Sequence, residues 1–243
     1  GLGRSGVEAC LEAGARVIAI GRSPEKVEAV DGLGAEVFGQ VGDAAEPGCA
    51  EAAIDEAESR FGGFDGLYHV AGGSGRSVGD GPLHELTDEG IDYTLRLNLS
   101  SVIYSNRAAV RRLLKSCRRG SVLNMSSVLA FAPAGEHFAT HAYAAAKAGI
   151  IGLTRSAASK YAARDIRFNA IAPALVETPM SERAQESPEI LEYMRRRQPL
   201  DGGRIGQPRD TDGAVVYFLS DQSAFVTGQV VSIDGGWEVS DGQ

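Results

Sequence analysis

The sequence predicts an α/β fold in which a parallel sheet carries helices on both faces. Six short apolar runs recur along the chain, mostly rich in Val and Ile, as strands buried on both faces should be. Helix-like segments separate these runs, so strand and helix alternate. The 243 residues are enough for one sizeable core and suit a single large domain.

The elements follow in order. The chain opens with GLGRSG at 1–6, where Gly1 and Gly3 flank Leu2 and a helical stretch follows with no strand before it. RVIAI (16–20), bounded by Gly14 and Gly21, is the first strand. Ser23-Pro24 supplies an N-cap and a first-turn proline for the helix PEKVEAV. AEVFGQV (35–41) is a strand, and PGCAEAAIDEAESRFGG is a helix that stops at Gly62-Gly63. DGLYHVA (65–71) is the third strand. Thr87-Asp88-Glu89 caps a long helical segment running towards Cys117. GSVLNMS (120–126), IRFNAIA (166–172) and GQVVSID (228–234) complete the strands. HAYAAAKAGIIGLTRSAASKYAAR reads as a long helix on alanine content, and TDGAVVYFLSD as the last one. There is no internal repeat, low-complexity segment or linker, so residues 1–243 read as one domain.

Residues 178–207 are the least regular, with Pro179, Pro188, Pro199 and Gly202-Gly203. One or two short helices over an opening are expected there. Ligands of open α/β sheets sit outside the carboxyl ends of the strands, so an excursion leaving RFNAIA reads as a substrate lid.

Composition excludes several functions. A net charge of −8 disfavours nucleic-acid binding, which needs a basic face. No apolar run approaches the roughly 20 residues that span a bilayer. Cys10, Cys49 and Cys117 are odd in number and widely spaced; they form neither a metal motif nor a disulfide framework, which points to a reducing cytoplasm and no bound metal.

Tyr143 and Lys147 are four residues apart on a predicted helix and share one face. Bringing a tyrosine from a pKa near 10 to about 7 takes roughly 4 kcal/mol. A cation about 4 Å away supplies roughly that at an intermediate dielectric. Taken alone the pair is a weak signal, since a surface helix produces it by chance. The strand SVLNM, however, runs into Ser126-Ser127 at the end where a site is expected, and a serine there can donate to a carbonyl oxygen whose charge grows on reduction. Asn98 sits mid-helix, where asparagine is disfavoured. A simple turn residue at Ser127 and a solvated helix residue at Asn98 are the competing readings.

The strand-serine, Y-x-x-x-K, NAIAP and TGQVVSIDGG segments occur in the order of a known family. From Gly1 to the DGG at 234–236 the chain resembles a short-chain dehydrogenase/reductase of the roughly 250-residue branch. The resemblance implies a Rossmann-like, doubly wound, three-layer sheet and a catalytic set of Asn98, Ser127, Tyr143 and Lys147. In that set Tyr143 exchanges the proton and Ser127 holds the substrate oxygen. Lys147 lowers the tyrosine pKa and binds the nicotinamide ribose, and Asn98 positions Lys147 through water. Ser127 is preferred to Ser126 because the family serine precedes a Val-like residue, here Val128. The 16-residue step from Ser127 to Tyr143 is slightly longer than is common in the family, which enlarges the loop FAPAGEHFATH. His137 and His141 in it are candidate substrate contacts or merely loop residues.

A glycine turn at a helix N-terminus cradles pyrophosphate through backbone N–H groups. The resemblance assigns Gly1, Leu2 and Gly3 to that role as the tail of the family motif. The first central strand and the start of the motif are then expected upstream of the sequence, over on the order of 10–20 residues. Gly21 stands where NAD users of the family carry an acidic residue, and Arg22 follows. Arginine can pair with a 2′-phosphate, so NADP(H) is favoured and NAD(H) possible; a solvated Arg22 is the alternative. Asp43 matches the adenine-contacting residue, with helix capping as the competing account. Ala71 and Gly72 end the third strand where the family reads N-N-A-G, with His69-Val70 replacing both asparagines. Pro173, Val176 and Thr178 match positions on the nicotinamide and phosphate side.

The function implied is hydride transfer between nicotinamide and a carbonyl or secondary alcohol. A nucleotide-binding protein without turnover, and epimerase or lyase chemistry on the same fold, are the alternatives. Arg195-Arg196-Arg197 reads as a solvated helix face in preference to an anion site. The last strand, QVVSI, is expected at a sheet edge that a tetramer or dimer would cover.

Overall fold

A computed structural model describes residues 1–241. The six expected strands are all present: β1 (Val17–Gly21), β2 (Val37–Val41), β3 (Gly66–His69), β4 (Gly120–Met125), β5 (Ile166–Pro173) and β6 (Val230–Ile233). Every pairing is parallel, so the carboxyl ends His69, Met125 and Pro173 lie on one side of their ladder, and Gly21 and Val41 share one end of theirs. β1 pairs with β2, while β3, β4, β5 and β6 form a second ladder in that order, with β6 at its edge. β1 and β3 exchange no ladder hydrogen bonds among the described residues, so the sheet has a break between them.

Alternation along β4 shows how the layers are made. Val122 packs with the side chains of α3 (Cys49–Phe61), α5 (Ser101–Ser116) and α6 (His141–Tyr161), whereas Leu123 and Met125 pack towards α1 (Leu2–Glu12) and α9 (Asp212–Leu219). The buried Asn124 shares the Val122 face. Its amide pairs with Asn106 of α5 in both directions, at 2.8 and 3.0 Å, and also donates to Thr154 of α6 at 3.1 Å. Satisfied in this way, a polar group in the core fixes the position of both helices on the sheet.

The long helix from Thr87 is present as α4 (Asp88–Leu95), a π-helical stretch over Arg96–Ser100, and α5. Thr87 Oγ1 accepts the Gly90 N–H at 3.0 Å, as a cap should. Cys117 ends α5 in a left-handed conformation, φ 54°. The remaining early helix is α2 (Pro24–Asp31), capped by Ser23.

Residues 178–207 form α7 (Glu182–Gln185) and α8 (Pro188–Arg197), the two short helices expected. They have a core of their own: Ala184, Ile190 and Met194 pack on Val128, Ala134 and Trp237. Trp237 is fully buried; its indole N–H donates to the Ala132 carbonyl at 3.0 Å, and Phe138 and Tyr193 meet its ring edge to face. After α8, Gln198 grips both backbone groups of Leu175, at 3.0 and 3.3 Å. The arginine run divides: Arg195 pairs with Glu192 at the surface, while Arg197 lies over Trp237.

Candidate active site

The carboxyl end of β4 delivers two serines with opposite fates. Ser126 is buried and donates to the Lys147 carbonyl at 2.9 Å, tying the strand to α6. Ser127 has an extended backbone; its hydroxyl accepts the Leu129 N–H at 3.3 Å and faces the Tyr143 phenol, whose ionised form it favours. The geometry therefore separates a structural serine from one aimed at Tyr143.

Tyr143 stands in the first turn of α6, held there by Asp80. The buried carboxylate of Asp80 accepts the Ala142 and Tyr143 N–H groups at 3.1 and 3.0 Å, capping the helix from another part of the chain. Burial pushes the Tyr143 hydroxyl up to about 12, and the hydrogen bond from Ser127 opposes that shift. Lys147, one turn along, is buried; its Nζ donates to the Met125 carbonyl at 2.9 Å and lies 5.4 Å from the centre of the Tyr143 ring. Burial brings the ammonium down to about 8. Burial dominates the Tyr143 shift, so Tyr143 is a proton donor at neutral pH.

Asn98 lies in the π-helical stretch, fully buried. Its side-chain oxygen accepts the Gly73 N–H at 3.0 Å, while its amide donates to the carbonyls of Gly73 and Thr94 at 2.9 and 3.0 Å. It is thus a clamp on the segment after β3, and no direct bond joins it to Lys147 among the described residues. The buried His69 at the end of β3 is bracketed by two hydroxyls, Ser105 at Nδ1 (2.7 Å) and Ser101 at Nε2 (3.3 Å).

A Cβ on Gly72 would lie 2.8 Å from Asn98 Oδ1 and 3.5 Å from Lys147 Nζ, so glycine keeps the floor between them open. No side chain caps α1. Its first internal bond runs from the Ser5 N–H to the Gly1 carbonyl, leaving the amides of Leu2, Gly3 and Arg4 without a partner among the described residues. Thr178 lies beside that helix end: its Cγ2 would be 3.7 Å from a Cβ on Gly1. Gly21 and the segment leading to Asp43 are joined by the Gly42 N–H to the Gly21 carbonyl, 2.9 Å. Asp43 Oδ1 accepts the Ala45 N–H at 2.9 Å within the turn before α3, whose N-cap is Gly48, so it does not cap that helix; Arg22 is exposed. Pro173 ends β5, and Val176 bridges to Gly206. Free amides, an open glycine floor and strand ends on one side fit an extended dinucleotide.

Beside Tyr143 a cleft of about 100 Å³ is walled by Phe138, Leu175 and Met180, with Thr140 and two arginines, Arg76 and Arg183, among its polar residues. Neither predicted histidine lines it. His141 is exposed at the start of α6. His137 turns outward, stacking edge to face on Tyr193 with ring centres 4.8 Å apart and lying with Glu136 and Glu189 in a group whose ligating atoms are within 4.8 Å. Phe138 and Thr140 take the places in the cleft. Arg76 and Asp80, in the glycine-rich turn at 72–81, and Arg183, on α7, meet Tyr143 from segments far apart in the chain, so no local sequence pattern links them.

With this geometry in view, the whole chain finds counterparts. A family model described as enoyl-(acyl carrier protein) reductase matches residues 1–238. A 3-oxoacyl-[acyl-carrier-protein] reductase, FabG, of Thermotoga maritima is 33% identical over 240 residues, covering 97% of this chain and 93% of its own. A short-chain type dehydrogenase/reductase from Mycobacterium ulcerans superposes with a TM-score of 0.89 at 29% identity, over 100% of this chain and 87% of its own. A gluconate 5-dehydrogenase from Burkholderia cenocepacia, solved with NADP and tartrate, superposes with a TM-score of 0.86 at 28% identity, over 98% and 91%.

Proposed function

We propose, for a chain that belongs to the short-chain dehydrogenase/reductase family, the interconversion of a carbonyl and a secondary alcohol with a nicotinamide cofactor. One observation carries the reading at residue level: Ser127 faces the Tyr143 phenol at the carboxyl end of β4, with Lys147 one helical turn away beside the open floor at Gly72.

The amides of Gly1, Leu2 and Gly3 would take the pyrophosphate, and Gly21, Arg22 and Asp43 the adenosine end. Ala71, Gly72, Pro173, Val176 and Thr178 would line the nicotinamide side, where Lys147 meets the ribose. The exposed guanidinium of Arg22 supports NADP(H) over NAD(H). When bound, the nicotinamide exchanges a hydride with the carbinol carbon.

Ser127 holds the substrate oxygen by donating a hydrogen bond, which strengthens as negative charge develops there. Tyr143 gives its proton to that oxygen in reduction and takes it back in oxidation. The Lys147 ammonium stabilises the phenolate left behind. Asn98 keeps the Gly72-Gly73 floor at its depth. Residues 178–207 act as the lid that closes the cleft on the substrate. The half-exposed β6 edge supports assembly into a dimer or tetramer, and the three free cysteines support a reducing, cytoplasmic setting. No helix among the described residues is long and apolar enough to cross a membrane.

The test is a screen of carbonyls and alcohols with both cofactors, followed by nicotinamide absorbance. Tyr143→Phe is expected to lower kcat by roughly 10²–10⁴-fold with the melting temperature unchanged. Undiminished turnover in that variant would overturn the mechanism. Tighter binding of NAD(H) than NADP(H) would overturn the cofactor preference.

A further inference from the structure

The cleft beside Tyr143 carries an unbalanced charge. Arg76 reaches it from the turn after β3 and Arg183 from α7 in the lid. Both supports are firm. The Arg76 turn is closed by the Asp80 N–H to the Gly75 carbonyl, 3.0 Å, and by Thr87, whose N–H donates to the Gly79 carbonyl at 3.2 Å. α7 is held by Gln185, which donates to the Thr178 carbonyl and the Ser181 hydroxyl at 2.9 and 2.8 Å.

No carboxylate lines the cleft among the described residues. The acid bearing on Arg76 is Asp80, and both its oxygens are engaged by the backbone of α6. The Arg76 guanidinium has no hydrogen-bond acceptor among the described residues. Arg183 gives one N–H to a neutral acceptor, the His137 carbonyl, at 3.0 Å. Arg76 and Arg183 both keep contact with solvent, and partial burial together with the charge of Arg183 holds the Arg76 guanidinium below its ordinary range, so the two cations act on one another across the cleft mouth. This local positive site stands against the grain of a chain with 32 acidic and 24 basic residues. General surface electrostatics would repel an anion, so a bound anion must be drawn by this pair.

We propose that the substrate is a small hydroxy or keto acid whose carboxylate lies between Arg76 and Arg183 while its reacting oxygen meets Ser127 and Tyr143. This rests on the oxidoreductase reading and narrows it. The two forked guanidiniums match a planar carboxylate. The apolar wall of Phe138, Leu175 and Met180 accepts the carbon segment between the two ends, and a cleft of about 100 Å³ admits only a short one.

The experiment compares lactate, 3-hydroxybutyrate and gluconate, each with its primary amide, as substrates in the presence of NADP⁺. The expected result is that kcat/KM for the best acid exceeds that of its amide roughly tenfold to a hundredfold, and that Arg76→Gln and Arg183→Gln each collapse this ratio towards one. Equal use of acid and amide by the unaltered protein, or variants that keep the ratio, would overturn the proposal. Calorimetric titration with tartrate gives a readout independent of turnover: the unaltered protein should bind it at least tenfold more tightly than the double variant, and equal affinities would overturn the arginine site. Arginine-dependent tartrate binding without hydride transfer to any substrate would overturn the oxidoreductase reading alone. Turnover of neutral ketones without arginine-dependent tartrate binding would overturn the acid site alone.

Discussion

The carboxylate of Asp80 accepts the backbone N–H of Tyr143 at 3.0 Å, although the two residues are 63 positions apart. The turn after β3 and the first turn of α6 are therefore tied together, and the negative charge of Asp80 sits where the helix dipole favours it. Asp80→Ala should lose about 1–2 kcal/mol of stability, because a buried helix start is left uncapped. It should also lower kcat more than it raises KM, since Tyr143 is displaced. Asp80→Asn keeps an acceptor and should restore part of both. Denaturant melts and initial rates on the three proteins check this; an Asp80→Ala protein as active and as stable as the parent would contradict it.

Ser126 and Ser127 are adjacent but should respond differently to alanine. Ser127→Ala removes a donor to the developing oxyanion and should cost about 2.7–4 kcal/mol in the barrier, a 10²–10³-fold loss of kcat, with an unaltered melt. Ser126→Ala removes the bond to the Lys147 carbonyl and should cost about 1 kcal/mol of stability with a smaller kinetic effect. The reverse pattern would reassign the serine.

Burial of the Lys147 ammonium works against folding, and function retains it. Its folded pKa of about 8 lies below the ordinary lysine value, so the charged form at pH 7 is disfavoured by the fold. Lys147→Met should raise stability at pH 7 by about 1–2 kcal/mol while removing most activity. With Tyr143 at about 12, alcohol oxidation in the parent enzyme should accelerate as pH rises from 7 to 9, because phenolate is the competent base. A flat profile, or a Lys147→Met protein that melts lower, would count against this account.

His69 is buried between Ser105 and Ser101, and burial followed by the Lys147 charge brings its pKa down to about 4 from 6.5. Between those values the unfolded chain binds the proton and the folded one does not, so stability falls as pH drops from 6.5 towards 4. The full loss is roughly 3 kcal/mol. His69→Asn should flatten the dependence of melting on pH over that window. Parallel melting curves for parent and variant between pH 7 and 5 would rule out His69 as the source.

Much of the fold was legible because its determinants are local. The strands β4 and β5 announce themselves as continuous apolar runs, α2 and α4 by their Ser23 and Thr87 caps, and the edge position of β6 agrees with its place at the end of the chain. The candidate site was legible in part, because Tyr143 and Lys147 are one helical turn apart and Ser127 follows a strand.

What the sequence determined by itself is therefore the order of elements and the residues whose relation is set by 3.6-residue and two-residue periods. Only the tertiary structure decided that Asp80 caps α6, that Asn98 clamps Gly73, and that the cleft takes Phe138 and Thr140 while His137 turns outward. It also decided the protonation of Tyr143, because burial of the phenol raises its pKa. Arg76 and Arg183, 107 positions apart, meet across the cleft only because parallel strands bring their following loops to one side of the sheet. Backbone periodicity acts between near neighbours in the chain, whereas desolvation and Coulomb interactions act between neighbours in space.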